Sequence, residues 1–337
     1  MPEFNLIKLE GKPIEKLIDV ISKGIGTLYK PRSIRKEADA KAYEIGMIEN
    51  AKSKALAEGK ENEAETYLRI QERILFKELE RQNNIDQIAE IAAKQLQQES
   101  NVSEEPVSKD WSKRFFNIAE DVSDEEMQEI WGRILAGEIK NPNSYSLRTL
   151  ELLKNLSKKE ADTFIKFANL SVSSNGVSFM LNFKNEPLLE DTYKVNFHER
   201  LLLEELGLLT ANDLQFKVHA TKGNTDLQYF VISKTIIAVE KSPNIPEQQL
   251  QILVFTKIGQ ELLKLVESNS DLEYVKLLAS KLRREGVSIK YAAIIEQQAD
   301  GRVKHTPMME VPLTDKELEA KKAKEEQERK KNEQKNN

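Results

Sequence analysis

The segment Asp110–Leu156, DWSKRFFNIAEDVSDEEMQEIWGRILAGEIKNPNSYSLRTLELLKNL, constrains the fold most, because it carries both tryptophans and closely spaced helix punctuation. Ser123 stands three residues before Glu126, the spacing of a capping box. Met127, Ile130, Trp131, Ile134 and Leu135 follow at helical intervals, and Gly137 stands where a C-terminal glycine belongs. Pro142 blocks continuation, Ser146 can start the next helix, and Ser157 with Glu160 repeats the capping box. Helices are expected over about 108–119, 124–136, 146–155 and 158–169. Trp111, Phe115 and Phe116 recur at helical spacing beside Ile118 and, with Trp131, read as an aromatic core. A base-stacking platform is disfavoured, since the surrounding acids repel phosphate.

Upstream, Pro13 suits a first helical turn, and Ile14, Leu17, Ile18, Ile21, Ile25 and Leu28 form an apolar stripe flanked by lysines 12, 16, 23 and 30. Gly24, Gly26 and Pro31 weaken or end this element. The stripe suits a helix packed on the protein or on another subunit first, and an anionic membrane surface second. Residues 33–59 and 62–98 read as two long charged helices around Gly59, the second with apolar positions Tyr67, Leu68, Ile70, Ile74, Leu75, Leu79, Ile85, Ile88, Ile91 and Leu96. Thin stripes on long charged helices bury little surface alone, which points to association; strict heptads are lacking.

After Leu170 the periodicity changes. Strands are expected at 177–183, 214–220, 227–239, 252–256 and 287–295, with a turn at Lys222–Thr225. Short helices are expected before Gly207, at 257–267 and at 271–285, the last capped by Ser270 and Glu273. The expected fold is mainly α with a smaller α+β C-terminal module: a long N-terminal helical arm, a central helical bundle and a short mixed sheet. The expected divisions are 1–98 (amphipathic helix and helical hairpin), 99–109 (linker), 110–170 (Trp-containing bundle), 171–313 (α+β module) and 314–337 (charged, disordered tail). The segment 197–267 loosely follows the helix–strand–strand order of winged-helix domains, with Lys217, Lys222, Lys234 and Lys241 nearby. A recognition helix rich in Arg and Asn is absent, so a generic α+β module is preferred.

No cysteine occurs among the 337 residues, which removes disulfides, thiol nucleophiles and thiolate-held metals. His198, His219 and His305 lack ligand spacing. Neither a phosphate loop, GxGxxG nor GxSxG is present. The acids Asp121, Asp124, Glu125, Glu126 and Glu129 fall at a helix N-terminus, where the dipole explains them without a metal. Charge is uneven around a net −5: residues 12–36 carry seven basic against two acidic groups, and 119–139 seven acidic against one basic. Such patches can mate within a chain or between subunits. Arg283, Arg284 and Lys290 form a modest basic patch that could meet an anion. No apolar run is long enough for a membrane span, and the N-terminus lacks a signal-peptide pattern.

The run DVSDEEMQEIWGRILAGEIKNPNSYSLRTLELLKNLSKKEA resembles the signature of an uncharacterised bacterial family, a domain of unknown function, with the densest likeness over Trp111–Ala161. The run GIGTLYKPRSIRKEADAKAYEI is similar to the N-termini of bacterial abortive infection alpha proteins, associated with phage resistance. These resemblances imply a bacterial cytosolic protein with a role in anti-phage defence, and they supply no catalytic residues. Together the readings lead to a non-enzymatic scaffold or effector without a cofactor, acting as a homo-oligomer or on a protein partner. It is expected in the cytoplasm, with a peripheral place at the inner membrane if the 14–28 stripe binds lipid. A nucleic-acid-binding regulator is the alternative.

Overall fold

Pro13 and Gly26 bracket the first helix, α1 (Lys12–Ile25): proline fixes φ in the opening turn, and the glycine takes the left-handed cap (φ 80°) that returns its N–H to Ser22 O. The computed structural model describes residues 11–29, 39–97, 99, 102–184, 186–218, 226–243, 245–267, 271–297 and 302–335, with backbone alone at 39–45, 297 and 330–335. The expected turn Lys222–Thr225, together with Pro31, His219 and Ser270, lies outside the described residues. The chain forms two compact units, residues 1–154 and 155–337.

Among the described residues the regular elements of the first unit are all helices: α1, α2 (Asp39–Ala57), α3 (Glu61–Leu96), α4 (Lys109–Ala119), α5 (Glu125–Lys140) and α6 (Leu147–Asn155). Its core joins Leu17 and Ile21 of α1, Ile88 and Leu96 of α3, Phe115 and Phe116 of α4 and Trp131 and Leu135 of α5, all buried. Phe115 is the hub, with ring centroids 4.9 Å from Trp111, 5.0 Å from Phe116 and 5.2 Å from Trp131. The N-terminal segment and the Trp module therefore share one core, where the sequence had suggested a division at 99–109. The joint is carried by side chains too distant in sequence for periodicity to link.

Two details of α5 correct the sequence reading. Its N-cap is Asp124, whose carboxylate accepts from Met127 N (2.9 Å), one residue after the expected Ser123. Gly137 does not end the helix; a Cβ there would lie 2.9 Å from the Tyr145 ring, so the glycine admits a packed tyrosine and the helix continues to Lys140. The box at Ser157 forms with both arms present.

The second unit opens with α7 (Lys158–Ala168), β1 (Val172–Ser174), β2 (Val177–Leu181), α8 (Pro187–Asp191), α9 (Phe197–Glu205) and β3 (Leu214–Val218). There follow β4 (Leu227–Ile232), β5 (Thr235–Lys241), β6 (Gln248–Val254), α10 (Lys257–Leu263), α11 (Leu272–Leu282), β7 (Val287–Gln297), β8 (Val303–His305), β9 (Met309–Glu310) and α12 (Asp315–Lys335). The chain is 55% helical, yet the expected short mixed sheet is a nine-stranded antiparallel one among the described residues, ordered β3-β6-β2-β1-β4-β5-β7-β8 with β9 on β7. Strand parity sorts its buried residues onto two faces: Phe179, Phe230, Ile237 and Ile289 project to one side, where Phe216 stacks on Phe179 at 4.9 Å, and Met180, Ile236, Leu253 and Ala292 to the other. The run 227–239, read as one strand, is a hairpin that turns at Ser233 (φ 50°) and Lys234. The winged-helix comparison fails here, because β4 and β5 lie in mid-sheet, paired to β1 and β7, and do not form a separate wing.

The charged tail, expected without fixed structure, is helical over α12. Thr314 and Glu317 cap it reciprocally, and along it Glu317–Lys321, Glu325–Arg329 and Glu326–Lys330 stand at the i,i+4 spacing that supports an isolated helix.

Candidate interaction surface

The first half of α3 follows α2 through the turn at Gly59 (φ 71°), and its residues are mostly exposed. Beyond Asn84 the same helix enters the core. The change is marked by polar side chains. Gln128 Nε2 donates to Asn84 Oδ1 (3.2 Å) and to Val122 O (2.9 Å), and Asn84 Nδ2 donates to Glu120 O (2.9 Å). Tyr29 Oη and Gln82 Nε2 both donate to Asp86 Oδ1, at 3.0 and 3.1 Å. Just outside, Arg81 meets Glu78, Glu120 and Asp121 at 3.5, 3.6 and 3.1 Å. Buried polar groups need their partners, so these contacts set the register at which the arm leaves the core.

On the arm the apolar residues of α3 divide between two faces. Tyr67, Ile70 and Ile74 are half-buried, while Ala55 and Ala64 are buried near the turn. Leu68, Leu75, Phe76 and Leu79 face outward, with 68% of Phe76 and 63% of Leu79 exposed. Residues 68, 75 and 79 recur along one line of the helix, with Phe76 beside it. Exposed charges of both signs, Arg69, Arg73 and Glu80, lie beyond Phe76 on one side of this stripe, and the exposed Glu72 stands within it, between Leu79 and Phe76 around the helix. Four large apolar side chains gathered on one helix face differ from the scattered exposed leucines normal on any surface. The sequence showed the apolar positions but not their division, and Phe76 was missed because it breaks the single-stripe spacing.

The residues singled out from the sequence are placed elsewhere. The stripe at 14–28 turns inward: Ile14, Leu17 and Ile21 are buried, Ile18 and Ile25 half-buried, and only Leu28 is exposed. Phe116 lies so near α1 that a Cβ on Gly24 would fall 2.2 Å from its ring. Ile14, Leu17 and Ile21 pack into the core, while Leu28 remains on the surface. Lys16, read as a flanking charge, donates to Ser103 O, Glu105 O and Ile139 O at 2.8, 2.8 and 3.0 Å. It fastens α1 to the 102–107 segment and to the negative end of α5. Beside it lies a depression of about 340 Å³ lined by Lys12, Glu15, Asp19 and Val107.

The basic patch is likewise engaged. Arg283 donates to both carboxylate oxygens of Glu317 (2.6 Å each) and to Val311 O (2.9 Å); Arg284 donates to Pro246 O; Lys290 is 3.9 Å from Glu310. Burial alone would raise the Glu317 pKa, but the Arg283 guanidinium and the Thr314 donors outweigh it and hold the carboxyl below its usual value. Arg283 thus ties α12 to the sheet unit, which its ion pair explains without an external anion. Lys241 pairs with Asp226 at 3.3 Å, and Lys217 is exposed on β3. Of the acid cluster, Asp124 caps α5 and Asp121 accepts from Arg81. Among the described residues no group of three or more His, Asp or Glu side chains could hold a metal, and no helix is long and apolar enough to cross a membrane.

A family model described as a protein of unknown function (DUF2806) matches residues 68–279. The match takes in the Trp111–Ala161 stretch and begins beyond the N-terminal run likened to abortive infection alpha proteins, so it lends that likeness no support. No curated protein and no solved structure matches the chain.

Proposed function

We propose that this chain, which belongs to the DUF2806 family, is a non-enzymatic scaffold or effector that works by protein–protein association through the α2–α3 arm. One observation carries the reading: Leu68, Leu75, Phe76 and Leu79 stand exposed together on a helix whose base is fixed in the core. Desolvating such a stripe is favourable at about 25 cal/mol per Å² of apolar surface removed from water. The rigid base lowers the entropy cost of presenting it. The N-terminal likeness to abortive infection alpha proteins would place this association in bacterial anti-phage defence.

Site-specific photo-crosslinking in cells tests the reading. A photoreactive residue at Phe76 is expected to give a discrete protein adduct, and one at Lys77, a neighbouring exposed position turned to another side of the helix, is not. Absence of any adduct from Phe76 would sink the association.

A further inference from the structure

We infer that α12 is a rigid spacer: a single helix that stands off the sheet unit, anchored at its first turn and supported along its length by its own charges rather than by packing. The inference is independent of the arm. Every residue from Leu318 to Arg329 is exposed, about three turns of helix with no buried side. A helix laid on a core buries every third or fourth residue instead. The apolar residues of α12 are Leu318, Ala320 and Ala323, too few for a core-facing stripe or a coiled-coil seam. Its eight basic and seven acidic residues are interleaved, so no basic face is offered to phosphate. A helix that is polar all round persists in water through pairs three and four residues apart. Between Asp315 and Arg329, five of the six charged pairs four apart are opposite in sign, and four of the six pairs three apart. The unfavourable Asp315–Glu319 pair lies in the opening turns, where acids complement the dipole. The base is held firmly. Arg283 grips both oxygens of Glu317 and donates to Val311 O and Pro312 O at 2.9 and 3.3 Å, which sets the direction in which the helix leaves. At 1.5 Å per residue, α12 spans about 30 Å. A group bound or joined at its far end is held at that distance from Arg283.

Distances between spin labels on the full chain test this. The sequence has no cysteine, so Gln249→Cys on β6 and Gln327→Cys on α12, both exposed positions, place one label on the sheet and one on the helix. Pulsed dipolar spectroscopy is expected to give one narrow distance distribution. The control exchanges two charges and keeps the composition. Lys322 stands three residues after Glu319, three before Glu325 and four before Glu326, and Glu326 stands three before Arg329 and four before Lys330. All five pairs are opposite in sign, and K322E/E326K turns four of them into like-charged pairs. In that background the distribution should widen at least about twofold, because a flexible chain samples many end-to-end distances. An unchanged thermal midpoint checks that the rest of the fold is kept. A broad distribution in the wild-type background, or one that stays as narrow after the exchange, would overturn the inference. Dipolar coupling between copies labelled at Gln327 alone would overturn it too, since the helix would then be paired with a second chain.

Discussion

Gly132 shows how a single residue sets the packing of the helical unit. A Cβ at this position would lie 2.4 Å from Ile91 Cγ2 and 3.3 Å from Ile88 O, so α5 meets α3 almost backbone to side chain. Gly132→Ala must push Ile91 or the helix aside, and overpacking of this kind costs about 1–3 kcal/mol. Urea denaturation followed by tryptophan fluorescence should show that loss as a lower midpoint with an unchanged slope. A neutral substitution would mean that the two helices separate freely. Lys16 makes a related point with a charge. Its three carbonyl partners would lose their donor in Lys16→Met, leaving under-satisfied oxygens at about 1–3 kcal/mol for a buried group, reduced where water replaces the ammonium. Neither role was legible beforehand, because a glycine inside a helix and a lysine beside an apolar stripe look ordinary until the neighbour across the core is known.

At the scale of elements, the first turn of α12 depends on one carboxylate. Glu317 accepts from Arg283 and from Thr314 N (2.8 Å) and Oγ1 (3.0 Å), and its pKa lies below that of an unfolded glutamate. A depressed carboxyl pKa means that the unfolded state binds the proton more readily. Its stabilising contribution is therefore complete above the unfolded value of about 4.3 and disappears as pH falls through the lower folded value. Backbone chemical shifts of Thr314–Leu318 should move toward coil values only in that acidic window, and Glu317→Gln should produce the same shifts at neutral pH. Helical shifts that persist in the Gln variant would show that the Glu–Lys spacing alone holds the turn. Elements of this sort were partly legible. Capping residues and 3.6-residue periodicity located most helices to within a few residues. The β4–β5 turn was hidden because Ser233 and Lys234 carry none of the usual glycine or asparagine signals, and β1, β8 and β9 are too short for alternation to register.

At the scale of the whole chain, each unit has a core of its own, the helical one around Phe115 and Trp131 and the sheet one around Phe179, Phe230 and Tyr274. Sequence reading resolved the change from helix to sheet near residue 170 but not which helices belong to which core. Core membership is fixed by contacts such as Tyr274 Oη with Leu181 N (3.2 Å), made between residues far apart in the chain. The distribution of fluorophores turns this into a measurement. Both tryptophans, Trp111 and Trp131, lie in the helical unit, so tryptophan fluorescence reports that core alone, whereas far-ultraviolet circular dichroism reports both. Phe230, fully buried, packs edge-on to Phe216 at 6.0 Å, and Phe230→Ala should destabilise the sheet unit by about 3–5 kcal/mol. Units with separate cores commonly break the all-or-none transition of a single domain. The dichroism transition of this variant should therefore begin at lower temperature, while the fluorescence midpoint stays at the wild-type value. A fluorescence midpoint that falls in step would show that the two cores unfold as one cooperative body.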